Sequence, residues 1–170
     1  MLVPLVVLIL AFLPMAFEAR LASRHDRALR QAGAVEPPDD VYRWMQIVYP
    51  ATFLSMAAEA AIRRVEVDQV FAAGIVVFLL GKAMKYWAIA TLGPRWTFRV
   101  LVPPSSMLVT DGPYRYIRHP NYVGVVGEIA GLALVARAAI SGPLSIVSFA
   151  VLIALRIRVE ERTLDQASSH

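Results

Sequence analysis

The apolar residues of this 170-residue chain occur in long blocks with few charges, and this pattern constrains its fold more than any other feature. Hydrophobic residues make up 58% of the chain and charged residues 18%. Soluble domains average about 45–50% apolar and about 25% charged residues. Apolar blocks of about 20 residues have the length of a helix that crosses a bilayer. The sequence therefore predicts an all-α integral membrane protein.

Five transmembrane helices are predicted, at residues 2–17, 41–62, 69–91, 122–138 and 143–159. Only a short turn that ends in Pro143 separates the last two, so they are expected to form a C-terminal helical hairpin. The first block lacks the preceding Lys or Arg of a secretory signal, which favours a membrane helix. This pattern divides the chain into an N-terminal part, 1–91, and a C-terminal part, 92–170. The linker 18–40 is expected to be a solvated loop or an interfacial helix.

The basic residues predict the orientation in the cell membrane. Segments 20–43, 82–118 and 156–162 hold 14 of the 17 Lys and Arg residues, and the remaining three are Arg63, Arg64 and Arg137. By the positive-inside rule the first group is cytosolic, so the N-terminus lies outside and the C-terminus inside. The same distribution argues against nucleic-acid binding, because the charges flank apolar spans instead of forming one patch.

The segment 93–124 carries the candidate chemistry, because it sets Arg, His, Tyr and Asn among glycines and prolines just before a membrane helix. Such irregular polar backbone persists at a membrane only on protein or along a wet cavity. Pro120 suits the first helical position, which leaves His119 at the positive end of the helix dipole. That position suits a ligand with a carboxylate. Alternatively, the aromatic and basic residues form an interfacial belt, although a belt does not require the order Arg118 to Tyr122.

Glu160 and Glu161 follow the last apolar block and supply the complementary charge. Both ends of a hairpin lie at the same membrane face, so these carboxylates can approach His119 and hold the ammonium of an amino-acid-like cofactor. The alternative is that they are only the charged end of a span. Three histidines far apart and no cysteine give no metal-ligand spacing, so no metal is expected.

At these residues the sequence resembles the isoprenylcysteine carboxyl methyltransferase family, whose wider relatives include phospholipid methyltransferases. Residues 108–114 read LVTDGPY, residues 118–124 read RHPNYVG, and Glu160-Glu161 follows after the hairpin. Leu92-Gly93 and Trp96 match an upstream element of the family pattern. The resemblance covers about half of the chain.

The resemblance implies a methyltransferase that uses S-adenosyl-L-methionine at the cytosolic face and takes a lipophilic acceptor from the bilayer. It also implies no metal and no covalent intermediate. The run HPNYVGVVGE, residues 119–128, resembles small bacterial members, some of which O-methylate phenolic or alkylpyrone lipids. The expected acceptor is such a lipid or a prenylcysteine-like carboxylate. The residues expected to bind the cofactor are Leu108, Val109, Gly112, Tyr114, Arg118, His119, Pro120, Tyr122 and Glu161. The residues expected to act in catalysis are Arg156, Glu160 and Glu128.

Glu128 has two interpretations, because it lies inside a predicted span. A carboxylate there is costly and is usually functional, so it is a candidate base at the acceptor end of the cavity. Equally, it can pair with Lys82 or Lys85 across the helix bundle. Two other functions are alternatives: an NADPH-dependent membrane reductase of the sterol-reductase type and a membrane scaffold without enzymatic activity.

Overall fold

The computed structural model describes residues 2–101 and 109–168, with side chains to residue 163. The described residues form five α-helices, and the all-α prediction is confirmed. They are α1 (Leu2–Gln31), α2 (Tyr42–Ile62), α3 (Gln69–Leu92), α4 (Pro120–Val135) and α5 (Ser141–Ser168). Two short 3₁₀ helices, Gly93–Arg95 and Gly112–Arg115, lie between α3 and α4.

Three of the helical segments are long and apolar enough to cross a membrane: Leu2–Gln31, Gln69–Arg95 and Ser141–Thr163. The α4 helix is apolar but shorter, with 16 residues. Large apolar side chains also face outward along these helices, such as Leu13, Leu80 and Leu144, each at least 65% exposed. An outward apolar surface of this kind suits lipid as the solvent, and the chain is a membrane protein.

The first helix extends beyond the predicted span and takes up much of the expected linker 18–40. Residues 18–31 contain neither Gly nor Pro and are rich in good helix formers, so nothing stops α1 at the end of the apolar block. Gly33, with a φ of 85°, follows the last turn. This extension buries Glu18 inside the bundle.

Helices α3 and α4 pack with their backbones almost in contact, because small residues face each other. A Cβ atom added to Gly131 would lie 2.4 Å from the amide nitrogen of Phe78, and one added to Gly81 would lie 2.8 Å from that of Glu128. Glycines at such crossings allow close helix packing in membranes. The packing fixes the start of α4 beside the end of α3.

The α4–α5 hairpin is held at its tip by Glu59 of α2, which accepts hydrogen bonds from the amides of Ile140 and Ser141. The opposite ends, His119 before α4 and the Glu160-Glu161 pair of α5, therefore meet at the other face of the bundle. The segment after α3 closes over that face, where His25 of α1 hydrogen-bonds the carbonyl of Trp96 at 2.8 Å.

Candidate functional site

A cavity of about 830 Å³ opens at this face, between the helices and the segment 93–101. Ligand pockets in proteins commonly have about 300–1,000 Å³, so its size suits a ligand. The predicted site residues that line it are Val109, Tyr114, Arg118, His119, Tyr122, Arg156, Glu160 and Glu161. The motif and the end of α5 therefore face one space.

His119 precedes α4 and stacks on Tyr122, with ring centroids 5.7 Å apart. Its Nε2 lies 3.5 Å from Oε1 of Glu161, and its Nδ1 lies 4.0 Å from Oε2 of Glu160. Arg118 approaches Glu161 at 3.7 Å but is largely exposed. Among the described residues, no group forms a hydrogen bond with the buried Nε2 of His119. A bound ligand is the natural partner for such an atom.

Arg156 is buried in the cavity wall and is held in a chain of hydrogen bonds. Its Nε donates to the hydroxyl of Tyr122 at 2.9 Å, and that hydroxyl donates to Oε2 of Glu160 at 3.0 Å. Its Nη1 donates to Oδ1 of Asp40 at 3.0 Å. The guanidinium is therefore fixed from two sides.

Tyr114 belongs to the 3₁₀ helix Gly112–Arg115 and turns its ring toward the cavity. Burial raises the pKa of Tyr114, and the negative charge of Glu160 raises it further. The phenol therefore stays neutral at physiological pH and can offer its hydroxyl or its face to a ligand.

Three other predicted residues contribute without lining the cavity, and one lies outside the described residues. Gly112 has a φ of 56°, and a Cβ there would lie 2.4 Å from the hydroxyl of Thr91, so only glycine fits. Pro120 is buried as the first residue of α4. Leu108 lies outside the described residues.

The third of these residues, Glu128, lies in a buried ionic cluster that also contains Glu18, Lys82 and Lys85. Nζ of Lys82 is 2.8 Å from Glu18 and 3.0 Å from Glu128, and Nζ of Lys85 is 2.6 Å and 3.3 Å from the same two carboxylates. The Tyr49 hydroxyl donates to Glu128 at 2.6 Å. This geometry matches the pairing interpretation of Glu128. Of these five residues, Lys85 and Tyr49 also line the cavity.

Sequence reasoning missed two carboxylates, Glu18 and Asp40. A sequence signal existed for each: Glu18 ends an apolar block, and Asp40 lies two residues before α2, where it accepts a hydrogen bond from the amide of Tyr42. Both signals have common structural explanations, so neither pointed to Lys82, Lys85 or Arg156.

The cavity changes character along its length. At the motif end the wall is charged, with Arg156, Glu160 and Glu161. Farther in, apolar side chains form the wall: Met15, Met45, Pro50, Val125 and Phe149. The space can therefore take a polar ligand and an apolar one side by side.

Together, the fold and the site define an all-α membrane protein with an amphipathic ligand cavity at one membrane face. The model of the isoprenylcysteine carboxyl methyltransferase family matches residues 73–166. The chain belongs to this family, as the motifs predicted.

Its relatives include both uncharacterised bacterial proteins and plant methyltransferases. The uncharacterised protein YpbQ of Bacillus subtilis is 31% identical over 90% of this chain and 91% of its own length. An uncharacterised protein of Haemophilus influenzae is 23% identical over 87% of each chain. Protein-S-isoprenylcysteine O-methyltransferase B of Arabidopsis thaliana is 31% identical over 55% of this chain and 48% of the plant protein. No solved structure matches the chain.

Proposed function

We propose that the protein is an S-adenosylmethionine-dependent methyltransferase that O-methylates a lipophilic acceptor. The observation that carries the proposal is the single cavity in which the family motif, Arg156 and the Glu160-Glu161 pair meet an apolar wall. Family membership supports the methyltransferase over a reductase or a scaffold. The basic residues support a cytosolic cofactor site in the cell membrane, with the N-terminus outside.

The polar end of the cavity fits the amino-acid portion of the cofactor. Glu161 would receive the ammonium group, and the start of α4 with Arg118 would attract the carboxylate. The buried Nε2 of His119 would gain the hydrogen-bond partner that the described residues do not provide. The rings of Tyr114 and Tyr122 would cover the adenine, and Val109 would contribute to the same cradle.

When bound, S-adenosylmethionine supplies an electrophilic methyl group on its sulfonium. The chain's own residues then need to align the acceptor oxygen and exclude water. Arg156 is placed to orient that oxygen, because its guanidinium is buried and fixed by Tyr122 and Asp40. Glu160, which accepts the Tyr122 hydrogen bond, is the candidate to take a proton from the acceptor.

The acceptor is proposed to be a prenylcysteine-like carboxylate or a phenolic or alkylpyrone lipid. A carboxylate needs no base, whereas a hydroxyl has to lose its proton as the methyl group arrives. Glu128 would serve a hydroxyl acceptor only through the Tyr49 hydroxyl, because Tyr49 lines the cavity and Glu128 does not. The acceptor class therefore decides whether Glu128 takes part.

The test is equilibrium binding followed by methyl transfer, with the purified protein in nanodiscs. We expect S-adenosylmethionine to bind, S-adenosylhomocysteine to displace it and NADPH to leave it bound. Transfer of a labelled methyl group to S-farnesylcysteine or to an alkylpyrone then identifies the acceptor class. Binding of NADPH in place of S-adenosylmethionine would refute the proposal.

A further inference from the structure

Asp40 lies directly behind Arg156, between the candidate site and the segment that follows α3. Its side chain is 4% exposed, and it belongs to the wall of a neighbouring pocket rather than to the main cavity. No part of the sequence resemblance includes residue 40. The position of this carboxylate therefore calls for its own explanation.

Both oxygens of Asp40 accept hydrogen bonds from different parts of the protein. Oδ1 accepts from Nη1 of Arg156 and from the amide of Tyr42, each at 3.0 Å. Oδ2 accepts from the amide of Val100 at 2.9 Å. One carboxylate thus connects α5, the start of α2 and the segment 93–101.

We propose that Asp40 is a positioning residue, which orients the Arg156 guanidinium toward the acceptor. Because it also accepts from Val100, it fixes the position of Arg156 relative to the segment 93–101, which leads to the cofactor motif. This inference rests on the proposed function, because it assigns Arg156 to the acceptor. Arg156 is buried, so without Asp40 it would lose the carboxylate with which it pairs directly and one of its two fixed points. A long side chain released in this way samples other rotamers, and a small misplacement of a catalytic group is costly.

The neighbouring Asp39 provides a matched control. Asp39 pairs at 3.2 Å with Arg162, which lies in α5 like Arg156, but the side chains of Asp39 and Arg162 are both at least half exposed. Exposed pairs of this kind contribute little to stability. Asp39→Asn and Asp40→Asn therefore make the same chemical change, one residue apart, on two arginines of α5.

The experiment measures cofactor affinity and methyl transfer from S-adenosylmethionine to S-farnesylcysteine and to an alkylpyrone. The proteins compared are the wild type, Asp39→Asn, Asp40→Asn, Arg156→Lys and the double variant Asp40→Asn/Arg156→Lys. We expect Asp40→Asn to lower kcat by about 10–100-fold with cofactor affinity nearly unchanged, and Asp39→Asn to stay near wild type. If Asp40 acts through Arg156, the double variant is no slower than the slower single variant. Wild-type kcat in Asp40→Asn, or effects that multiply in the double variant, would overturn the inference.

A second measurement does not require turnover. Hydrogen exchange of the peptide that contains Val100 should accelerate in Asp40→Asn but not in Asp39→Asn, because Asp40 accepts the hydrogen bond from that amide. Unchanged exchange in both variants would count against Asp40 as the anchor. If the wild type neither binds S-adenosylmethionine nor transfers methyl, the proposed function fails, and the exchange result still decides whether Asp40 holds this segment. If Asp40→Asn does not fold, Asp40→Glu keeps the charge but shifts it by one methylene, and the same reduced kcat and faster exchange are expected.

Discussion

Replacing Glu18 by Gln tests the buried ionic cluster most directly. The change preserves shape but removes one of two carboxylates that face Lys82 and Lys85, at 2.8 Å and 2.6 Å. The cluster would pass from two negative and two positive charges to a net positive charge within the bundle. Breaking a buried pair by removing one partner typically costs about 3–5 kcal/mol. For a chain of this size, that predicts a fall in melting temperature of about 6–20 °C.

The assay is thermal unfolding in a mild detergent, with Glu66→Gln as the control. Glu66 is exposed in the α2–α3 connection, so its neutralisation should change the free energy of unfolding by less than about 0.5 kcal/mol. Adding Lys82→Met to Glu18→Gln restores charge balance and should recover part of the loss. Equal melting temperatures for Glu18→Gln and Glu66→Gln would refute the claim that the cluster stabilises the bundle.

Four other predictions address the site and the fold. Glu161→Gln should weaken S-adenosylmethionine binding by about 1.5–3 kcal/mol in an isothermal titration, and unchanged affinity would remove Glu161 from the site. Glu128→Gln should lower the melting temperature. It should also slow methyl transfer to a hydroxyl acceptor but not to a carboxylate acceptor. If its turnover relative to wild type is the same with both acceptors, Glu128 takes no part in the reaction. The chain has no cysteine, so a Tyr116→Cys variant carries a single thiol at an exposed position. This thiol should react with a membrane-impermeant reagent only in inverted vesicles. Labelling in intact cells would show that the orientation is the opposite of the predicted one. Gly131→Ala should destabilise the protein more than Gly142→Ala. The new methyl group at residue 131 would lie 2.4 Å from the α3 backbone, whereas the one at residue 142 would lie 3.0 Å from a side-chain methyl group. Equal melting temperatures of the two variants would contradict the close packing of α3 and α4.

The sequence predicts α3 closely because both of its ends carry signals, Asp68 at the start and Gly93 at the end. Residues 69–91 were expected, and the helix is Gln69–Leu92, with the side chain of Asp68 capping its first turn through the amide of Phe71. The expected end of the first helix at residue 17 differs from the structure for the opposite reason. The pattern marks where the apolar block ends, whereas the helix ends only where Gly33 permits a positive φ.

The site divides in the same way between local signals and long-range pairing. The order of residues 118–122 predicts His119 and Tyr122 as site residues. The short hairpin turn predicts that Glu160 and Glu161 lie close to His119, as the structure shows. The pairing of Glu128 with Lys82 was among the alternatives, but the roles of Asp40 and Glu18 were not predicted, because Asp40 is 116 residues from Arg156 and Glu18 is 64 residues from Lys82. A single sequence shows that a carboxylate exists but not which cation it neutralises.

The ionic cluster also bears on which ligands the cavity can take, because Lys85 and Tyr49 belong to both. An unpaired ammonium in the wall would impose a large desolvation cost on any apolar ligand beside it. Here Lys85 faces Glu18 and Glu128, and with Lys82 the four charges cancel. The ionic cluster therefore leaves no net charge in the part of the wall that Lys85 forms, while fixed charge remains at the end with Arg156 and Glu161. Losing Glu18 should then weaken binding of a lipophilic acceptor more than binding of the cofactor, which links the stability of the bundle to the selectivity of the site.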